Sequence, residues 1–389
     1  MTDPTPSGAE RHVCFLTGTR ADFGKLKPLM VRAAELPGIR VTALVTGMHL
    51  LERYGSTVLE VRRLEPGITV VEVPNQAAGD PMDRILARTI DGLAEAFDRD
   101  PPDLLVVHGD RLEALAGASV GALRNVPVAH VEGGERSGTI DGIIRHAVSK
   151  LSHLHLVAND EAARRVVQLG EDPSTVFVIG SPDIDVMLSS ELPQLPEVLE
   201  AYEIPFDEYA LVIFHGVTTE SRDSIGSAAA ALVDSLLDGD QCAVVVYPNN
   251  DPGTEEILRE YDRLRDDKRF RLFPSLRFEA FLTLLKHATM LVGNSSAGIR
   301  EAPIYGIPTV NIGSRQRDRF AHPTIVDTDT TPAGIAEGIA SASGMQRRPP
   351  SDHFGRGDSA DRFCELLSGS EIWQLGADKV FRDVEGHHG

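Results

Sequence analysis

Short apolar runs alternate with helix-period segments along almost the whole chain, and that alternation restricts the fold to βαβ units around parallel sheets. In the first half the strand candidates are Val13–Thr17, Val41–Thr46, Leu104–His108, Val126–Val131, Leu154–Ala158 and Val176–Ile179. Amphipathic stretches lie between them, such as Lys25–Leu36 with Leu26, Leu29, Met30 and Ala33 at helical spacing. Asp160 reads as an N-cap and Gly170 as the C′ residue of the same helix. The rhythm stops between Leu192 and Tyr209, a stretch with three prolines, many acids and no long apolar run. It restarts with Leu211–Phe214, Ala243–Tyr247, Phe270–Phe273, Met290–Val292, Thr309–Ile312 and Thr324–Val326. The pattern predicts an α/β protein of two Rossmann-like, doubly wound domains facing each other across a cleft. Residues 1–190 form the first, 191–209 a linker and 210–370 the second. The closing segment, 371–389, holds the only tryptophan, Trp373, with Leu375, Val380 and Phe381, and is expected as a helix packing back, the first domain being the candidate.

Bulk properties narrow the function. A chain of 389 residues exceeds one ordinary core. A formal net charge of −20 argues against nucleic acid and anionic membranes as partners. An anionic ligand must therefore be met by local arginines and helix N-termini. No apolar run approaches the roughly 20 residues that span a bilayer. The polar first residues, Met1 to Arg11, do not resemble a signal peptide. Cys14, Cys242 and Cys364 are far apart, with no metal spacing, which fits inert thiols in a reducing cytoplasm.

Chemistry-bearing residues collect where strands end. His130-Val131-Glu132-Gly133-Gly134-Glu135-Arg136-Ser137-Gly138-Thr139-Ile140-Asp141 sets three carboxylates in a polar, glycine-rich loop directly after an apolar run. That is where an α/β protein carries its site. Asp141 and Arg145 are also one helical turn apart, so a plain i,i+4 pair accounts for them equally. Gly18-Thr19-Arg20-Ala21-Asp22-Phe23-Gly24-Lys25 opens the first helix, and its backbone N–H groups with Arg20 and Lys25 suit an anion. The glycine spacing fits neither a dinucleotide fingerprint nor a Walker loop. In His108-Gly109-Asp110-Arg111, Asp110 is either a functional acid or the N-cap of a helix over 111–123, and Arg111 a phosphate contact or a surface ion pair. His146, His153 and His155 lack the spacing of a metal site, and no metal is expected.

The second half repeats the pattern. His215 follows a strand and is placed to protonate or hydrogen-bond a phosphate oxygen. Gly293-Asn294-Ser295-Ser296-Ala297-Gly298-Ile299-Arg300-Glu301 combines small residues, including Gly298, with two hydroxyls ahead of a helix. This is a pyrophosphate seat without a P-loop, with Glu301 placed to accept from both ribose hydroxyls. The plainer reading is a serine-rich cap with a dipole-compensating glutamate.

Together these segments resemble the UDP-N-acetylglucosamine 2-epimerases, from about Phe15 to Arg315. The carrying motifs are Gly18-Thr19-Arg20, His108-Gly109-Asp110-Arg111, His130-Val131-Glu132-Gly133-Gly134-Glu135, Ser137-Gly138-Thr139-Ile140-Asp141, Pro248-Asn249-Asn250-Asp251, Gly293-Asn294-Ser295-Ser296 and Thr309-Val310-Asn311-Ile312-Gly313-Ser314-Arg315-Gln316. The form around Glu132 and Asp141 is similar to the hydrolysing branch, which begins sialic-acid-like pathways. The resemblance implies a GT-B-like pair of domains with UDP on the second. It implies that Ser295, Ser296, Glu301 and Arg315 hold the nucleotide, and that Arg20 and Arg111 reach the diphosphate. Asn249 and the Ser275-Leu276 backbone would contact uridine. Asp110, Glu132 and Asp141 match the family's catalytic carboxylates, and His215 its catalytic histidine. Two positions depart from the pattern: Gly216 replaces a usual proline, and Gly142 stands where an acid is common.

The implied chemistry explains the carboxylates. The C2 hydrogen of the sugar is not acidic, so its removal must accompany loss of UDP from C1, with carboxylates stabilising the developing positive charge. Anti elimination leaves a 2-acetamidoglucal. Protonation of C2 on the opposite face and addition of water at C1 then give free N-acetylmannosamine and UDP. Glu132 or Asp110 is the choice for proton transfer, with Asp141 as partner. No nicotinamide, metal or other cofactor is required by this route, and the family suggests a homodimer or homotetramer. Three rivals stay open. A non-hydrolysing epimerase would return an intact UDP-sugar. A GT-B glycosyltransferase would not exchange the C2 hydrogen. A UDP-sugar sensor would bind without turnover.

Overall fold

The computed structural model describes residues 10–52, 55–77, 80–136, 139–217, 220–248, 253–317, 319–376 and 378–383. Its strands are β1 (Arg11–Thr17), β2 (Ile39–Val45), β3 (Thr69–Glu72), β4 (Leu104–His108), β5 (Val128–Val131), β6 (Leu154–Val157), β7 (Val176–Val178), β8 (Ala210–Ile213), β9 (Ala243–Val246), β10 (Phe270–Phe273), β11 (Met290–Gly293), β12 (Thr309–Ile312) and β13 (Ile325–Thr328). They form a seven-stranded sheet ordered β3-β2-β1-β4-β5-β6-β7 and a six-stranded sheet ordered β10-β9-β8-β11-β12-β13. Every pairing is parallel, with Phe15 opposite Ala43 and Val106 in the first sheet and Val292 opposite Val212 and Val310 in the second. Helices cover the sheet faces, which is why β4, β8 and β11 read as unbroken apolar runs rather than alternating ones. The strand absent from the sequence expectation is β3. It is the edge of its sheet, its residues are half-buried or exposed, and it lacks the continuous apolar run that marks the inner strands.

The chain forms two compact units. One holds the described residues up to Arg136, those of Ile140–Ser189 and those from His353 onward; the other holds Ser190–Asp352. Two expectations are corrected here. The segment 191–209 is not a bare linker, because Leu195–Ala201 is a helix within the second unit. Pro196 occupies its first turn, where a missing N–H costs nothing, and Gln194 and Glu197 close a capping box. Val198, Ile204 and Tyr209 pack into that unit's core. The prolines that suggested a linker are here helix-start punctuation.

The second correction concerns the C-terminus. The return to the first unit comes at His353, not 371, and the element that packs there is the helix Ser359–Ser368. Phe363 of that helix meets Phe15 edge-on at 5.9 Å. Burying such a ring stabilises by roughly 1.5–3 kcal/mol. Beyond it, among the described residues, lies one 3-10 turn, Ile372–Gln374, and no helix. Trp373 donates its indole N–H to the Leu367 carbonyl at 2.9 Å, and the Lys379 ammonium bonds the Ser149, Lys150 and Ser152 carbonyls. The tail is thus tied down by discrete polar contacts, which leave no helical period in the sequence. One cap also shifts: Asn159, not Asp160, accepts from the Ala162 N–H, while Gly170 has the left-handed φ of +84° expected of a C′ residue.

Candidate active site

In each sheet the strand order reverses once, between β1 and β4 and between β8 and β11. Ligands of open α/β sheets lie outside the carboxyl ends of the strands at such a reversal. The segments chosen from the sequence emerge at these places: Gly18 after β1, Gly109 after β4, His215 after β8 and Asn294 after β11.

In the first unit the loop after β1 is already occupied by protein groups. The buried Asp22 carboxylate accepts from the Thr17 hydroxyl at 2.7 Å and from the N–H groups of Gly18 and Thr19 at 3.0 and 2.9 Å. The expected anion cradle at these two amides is therefore corrected to a self-closed capping box, with Thr19 as N-cap of the helix Arg20–Ala34. Arg20 is engaged by both oxygens of Glu60, at 2.7 and 3.2 Å, and Arg111 by Glu113 at 3.3 Å. Glu113 is buried against Gly18 and Gly47, and a Cβ on either glycine would fall within 2.8 Å of that side chain.

The acids gather at the ends of β4 and β5. Glu132 is buried and has a left-handed φ of +61°, a conformation that costs a non-glycine residue about 1–3 kcal/mol and is typically retained at functional sites. Its carboxylate meets the His108 Nε2 at 3.0 Å, the Lys25 ammonium at 3.3 Å and the Ser181 hydroxyl. Lys25 also pairs with the fully buried Asp183 at 3.1 Å. Asp110 does not cap the following helix, whose N-cap is Arg111 with no side-chain bond. The Asp110 carboxylate instead takes the Arg145 guanidinium, and Arg145 also donates to the Glu132 carbonyl. One buried arginine thus holds the Asp110 carboxylate and the Glu132 backbone together. Asp141, the third, begins the helix Thr139–Leu151 that carries Arg145, and is half-buried. His130 is structural: Nε2 donates to the Gly109 carbonyl at 2.8 Å, and Nδ1 is 3.0 Å from the Ser149 hydroxyl. Burial pushes its pKa down to about 3.

In the second unit one side chain organises the loops. The Asn294 amide accepts from the His215 N–H at 2.7 Å and donates to the His215 carbonyl at 2.9 Å. The Asn294 carbonyl takes Arg315 and Gln316, both at 3.1 Å. Gly293 is obligatory, because at φ +141° a Cβ would lie 1.9 Å from the Ile213 carbonyl. His215, Asn294 and Arg315 are therefore brought together, with Ser295 and Ser296 half-buried beside them. Burial, then the nearby Arg315, push the His215 pKa down to about 3, so the ring is neutral at pH 7. The helix expected behind this loop is a single turn, Ala297–Arg300, followed by the 3-10 turn Ala302–Tyr305. Its dipole is small, and the donors that the loop offers are hydroxyls and backbone N–H groups. Glu301 is buried between these two turns. Gly298 serves packing, since a Cβ there would meet the Thr309 methyl at 2.6 Å. Leu276 is buried in the core and Ser275 exposed, so Leu276 offers a ligand only its backbone. Asn249 lies outside the described residues. Among the described residues no three His, Cys, Asp or Glu are grouped to hold a metal, and no helix is long and apolar enough to cross a membrane.

Residues 32–368 match the family model described as UDP-N-acetylglucosamine 2-epimerase. The chain belongs to the UDP-N-acetylglucosamine 2-epimerase family. It is 47% identical over 377 residues to the UDP-N-acetylglucosamine 2-epimerase of Neisseria meningitidis serogroup B, covering 96% of this chain and 99% of that one. It is 33% identical to the UDP-N,N'-diacetylbacillosamine 2-epimerase (hydrolyzing) of Legionella pneumophila, over 92% and 95% of the two chains. A crystal structure of a UDP-GlcNAc 2-epimerase from Neisseria meningitidis bound to UDP-GlcNAc superposes with a TM-score of 0.77 at 18% identity, covering 92% of this chain and 99% of that one. At that identity the likeness speaks for the fold alone, which is GT-B-like α/β.

For this epimerase-family chain, sequence reasoning gave no role to His108, Ser181 and Asp183, and read Arg145 only as a helical partner of Asp141, whereas it pairs with Asp110. His108 opens the motif His108-Gly109-Asp110-Arg111. Ser181-Pro182-Asp183 follows β7 and repeats the strand-end signal that singled out the other segments.

Proposed function

We propose that this protein is a hydrolysing UDP-sugar 2-epimerase. It would convert UDP-N-acetylglucosamine, or a close 2-acetamido UDP-sugar, with water to a free N-acetylmannosamine-type sugar and UDP. The observation that carries the reading is Glu132. It is buried, held in a strained backbone conformation, and its carboxylate is bonded by His108, Lys25 and Ser181. A carboxylate so fixed is preorganised for proton transfer at carbon. The hydrolysing outcome is supported by the sequence form around Glu132 and Asp141 and by the 33% identity to a relative named as hydrolyzing. In this reading the second unit's Ser295, Ser296, Glu301 and Arg315 hold UDP, with Asn249 and the Ser275-Leu276 backbone on the uridine. His215, neutral at rest, hydrogen-bonds the diphosphate as it leaves. Asp110, Glu132 and Asp141 move protons. The protein would act in the cytoplasm as a homodimer or homotetramer, which light scattering on the purified chain measures.

Proton NMR of the reaction in deuterated water tests the chemistry. The expected products are free UDP and a reducing 2-acetamido sugar with deuterium at C2. An intact UDP-sugar with deuterium at C2 would replace hydrolysis by simple epimerisation. A product without deuterium at C2 removes elimination altogether.

A further inference from the structure

The C-terminal tail of the chain closes on the helix that carries Asp141 and Arg145. The final carbonyls of any α-helix lack partners within it. In Thr139–Leu151 two of them, on Ser149 and Lys150, accept from the Lys379 ammonium at 3.1 and 2.7 Å, and the Ser152 carbonyl just beyond accepts at 2.6 Å. A cation at this place also faces the negative end of the helix dipole. The seat for the cap is built from both sides. The buried Glu171 carboxylate meets Lys379 at 2.5 Å, Lys150 at 2.7 Å and His155 Nε2 at 3.0 Å. Burial works against its charge, but the hydrogen bonds from His155, Lys150 and Lys379 outweigh burial and hold its pKa down to about 2. The Phe381 ring lies on Gly170, where a Cβ would come within 2.3 Å of it, and the Arg382 N–H donates to the Gly170 carbonyl at 2.9 Å.

Along the helix, Asp141, Arg145 and Ser149 are spaced by four and so share one face. Arg145 pairs with Asp110 and donates to the Glu132 carbonyl. The Ser149 hydroxyl is 3.0 Å from His130 Nδ1, and His130 in turn bonds the carbonyl of Gly109, the residue before Asp110. Ile144 and Val148 bury an apolar face of the helix, but apolar burial is non-directional and leaves the position along the axis loosely specified. Directional bonds at the helix end specify it. A displacement of about 1 Å at reacting groups costs up to roughly a hundredfold in rate. We propose that the C-terminal tail is a clamp on this helix, with Lys379 as a positioning residue that sets the helix along its axis and thereby places Asp141, Arg145 and Asp110. The proposal rests on the epimerase reading, in which Asp110 and Asp141 move protons. Lys379 acts on the reaction through the helix and not by touching substrate.

The experiment measures kcat and KM for Lys379→Met, which keeps an apolar stem but offers the carbonyls no donor, at a temperature where circular dichroism shows the variant folded. Turnover should fall by about tenfold or more, with KM within about twofold of the unaltered protein. An unchanged kcat overturns the inference, and so does a change confined to KM. Arg382→Ala is the comparison on the same tail, because it cuts the bond to Asp172, which lies off the helix, at 2.9 Å. It should leave kcat within about twofold. A loss as large as that of Lys379→Met would assign the effect to the tail as a whole and overturn the role of the Lys379 cap. Should Lys379→Met fail to fold, Glu171→Gln carries the test, since it keeps the shape of the seat and removes the charge that holds the ammonium. The same fall in kcat with KM held is expected, and an unchanged kcat overturns the inference. Absence of C2 deuterium in the product of the unaltered protein would defeat the epimerase reading itself. Normal deuterium incorporation with an undiminished kcat in Lys379→Met defeats only the clamp.

Discussion

At the sheet reversal of the first unit, the loops are dense with buried charge: Lys25 with Glu132 and Asp183, Arg145 with Asp110, Asp22 with backbone amides. At the matching place in the second unit, the loop Gly293–Gly298 carries no charged side chain, and a neutral amide, Asn294, ties it to His215. On the proposed reading, the same strand-end geometry serves two kinds of chemistry. Proton transfer needs ionisable groups held out of water, where small changes in surroundings alter proton affinity strongly. Holding a dianion needs donors that suffer little desolvation penalty of their own, which hydroxyls and main-chain N–H groups provide. The expectation that Arg20 and Arg111 serve the diphosphate looks different in this light, because Glu60 and Glu113 engage them within their own unit.

The most forceful way to break this division is Glu132→Gln. The amide keeps the shape and some hydrogen bonds but cannot exchange a proton. Turnover should fall by at least roughly two orders of magnitude, while UDP affinity measured by calorimetry stays within about threefold. If affinity collapsed together with turnover, the two units would not divide the work as described.

Much of this was legible in the sequence, for reasons specific to each element. Inner strands such as β4 and β11 announce themselves because both faces are covered and their residues before the strand end are apolar. The edge strand β3 has no such demand and was invisible. Site segments were found because strand ends gather glycines and polar residues. Partnerships were not, since Lys25 and Glu132 are 107 residues apart and only the sheet order brings them together. The left-handed backbone at Glu132 and the diversion of Asp110 from capping to Arg145 are likewise tertiary outcomes. The C-terminal tail, anchored by Lys379 on three carbonyls, leaves no periodic signal at all.

The two units also share a feature that sharpens the contrast. Each has a buried histidine at a strand end, His130 and His215, pushed down to about 3. His130 is locked by Gly109 and Ser149 and serves structure; His215 is tied through its backbone to Asn294 and lies by Arg315. A histidine whose folded pKa is depressed opposes folding as acid is added, because the unfolded chain takes up the proton first. Stability should therefore decline as pH falls below about 6.5 and continue to decline toward about 3, each such histidine adding up to about 1.4 kcal/mol per pH unit. His12, His49 and His155 shift in the same direction and add to the slope. Denaturant unfolding between pH 5 and 7 measures it. His130→Gln should lower the slope by about one proton, and an unchanged slope would mean that His130 is not buried neutral.

The smallest expected effect lies in the second unit. Ser295 and Ser296 stand at the start of a helix only one turn long, so the loop has little macrodipole, and on the proposed reading the hydroxyls and N–H groups would hold UDP. Ser296→Ala removes one neutral donor and should weaken UDP binding by about tenfold, in the range of a single hydrogen bond to a charged group. Because the lost donor is uncharged, the salt dependence of UDP affinity should keep the slope of the unaltered protein. At saturating substrate the rate of C2 deuterium incorporation should also persist, since the acids of the first unit are untouched. A variant that bound UDP normally but exchanged C2 hydrogen slowly would place this serine in proton transfer and erase the distinction between the two loops.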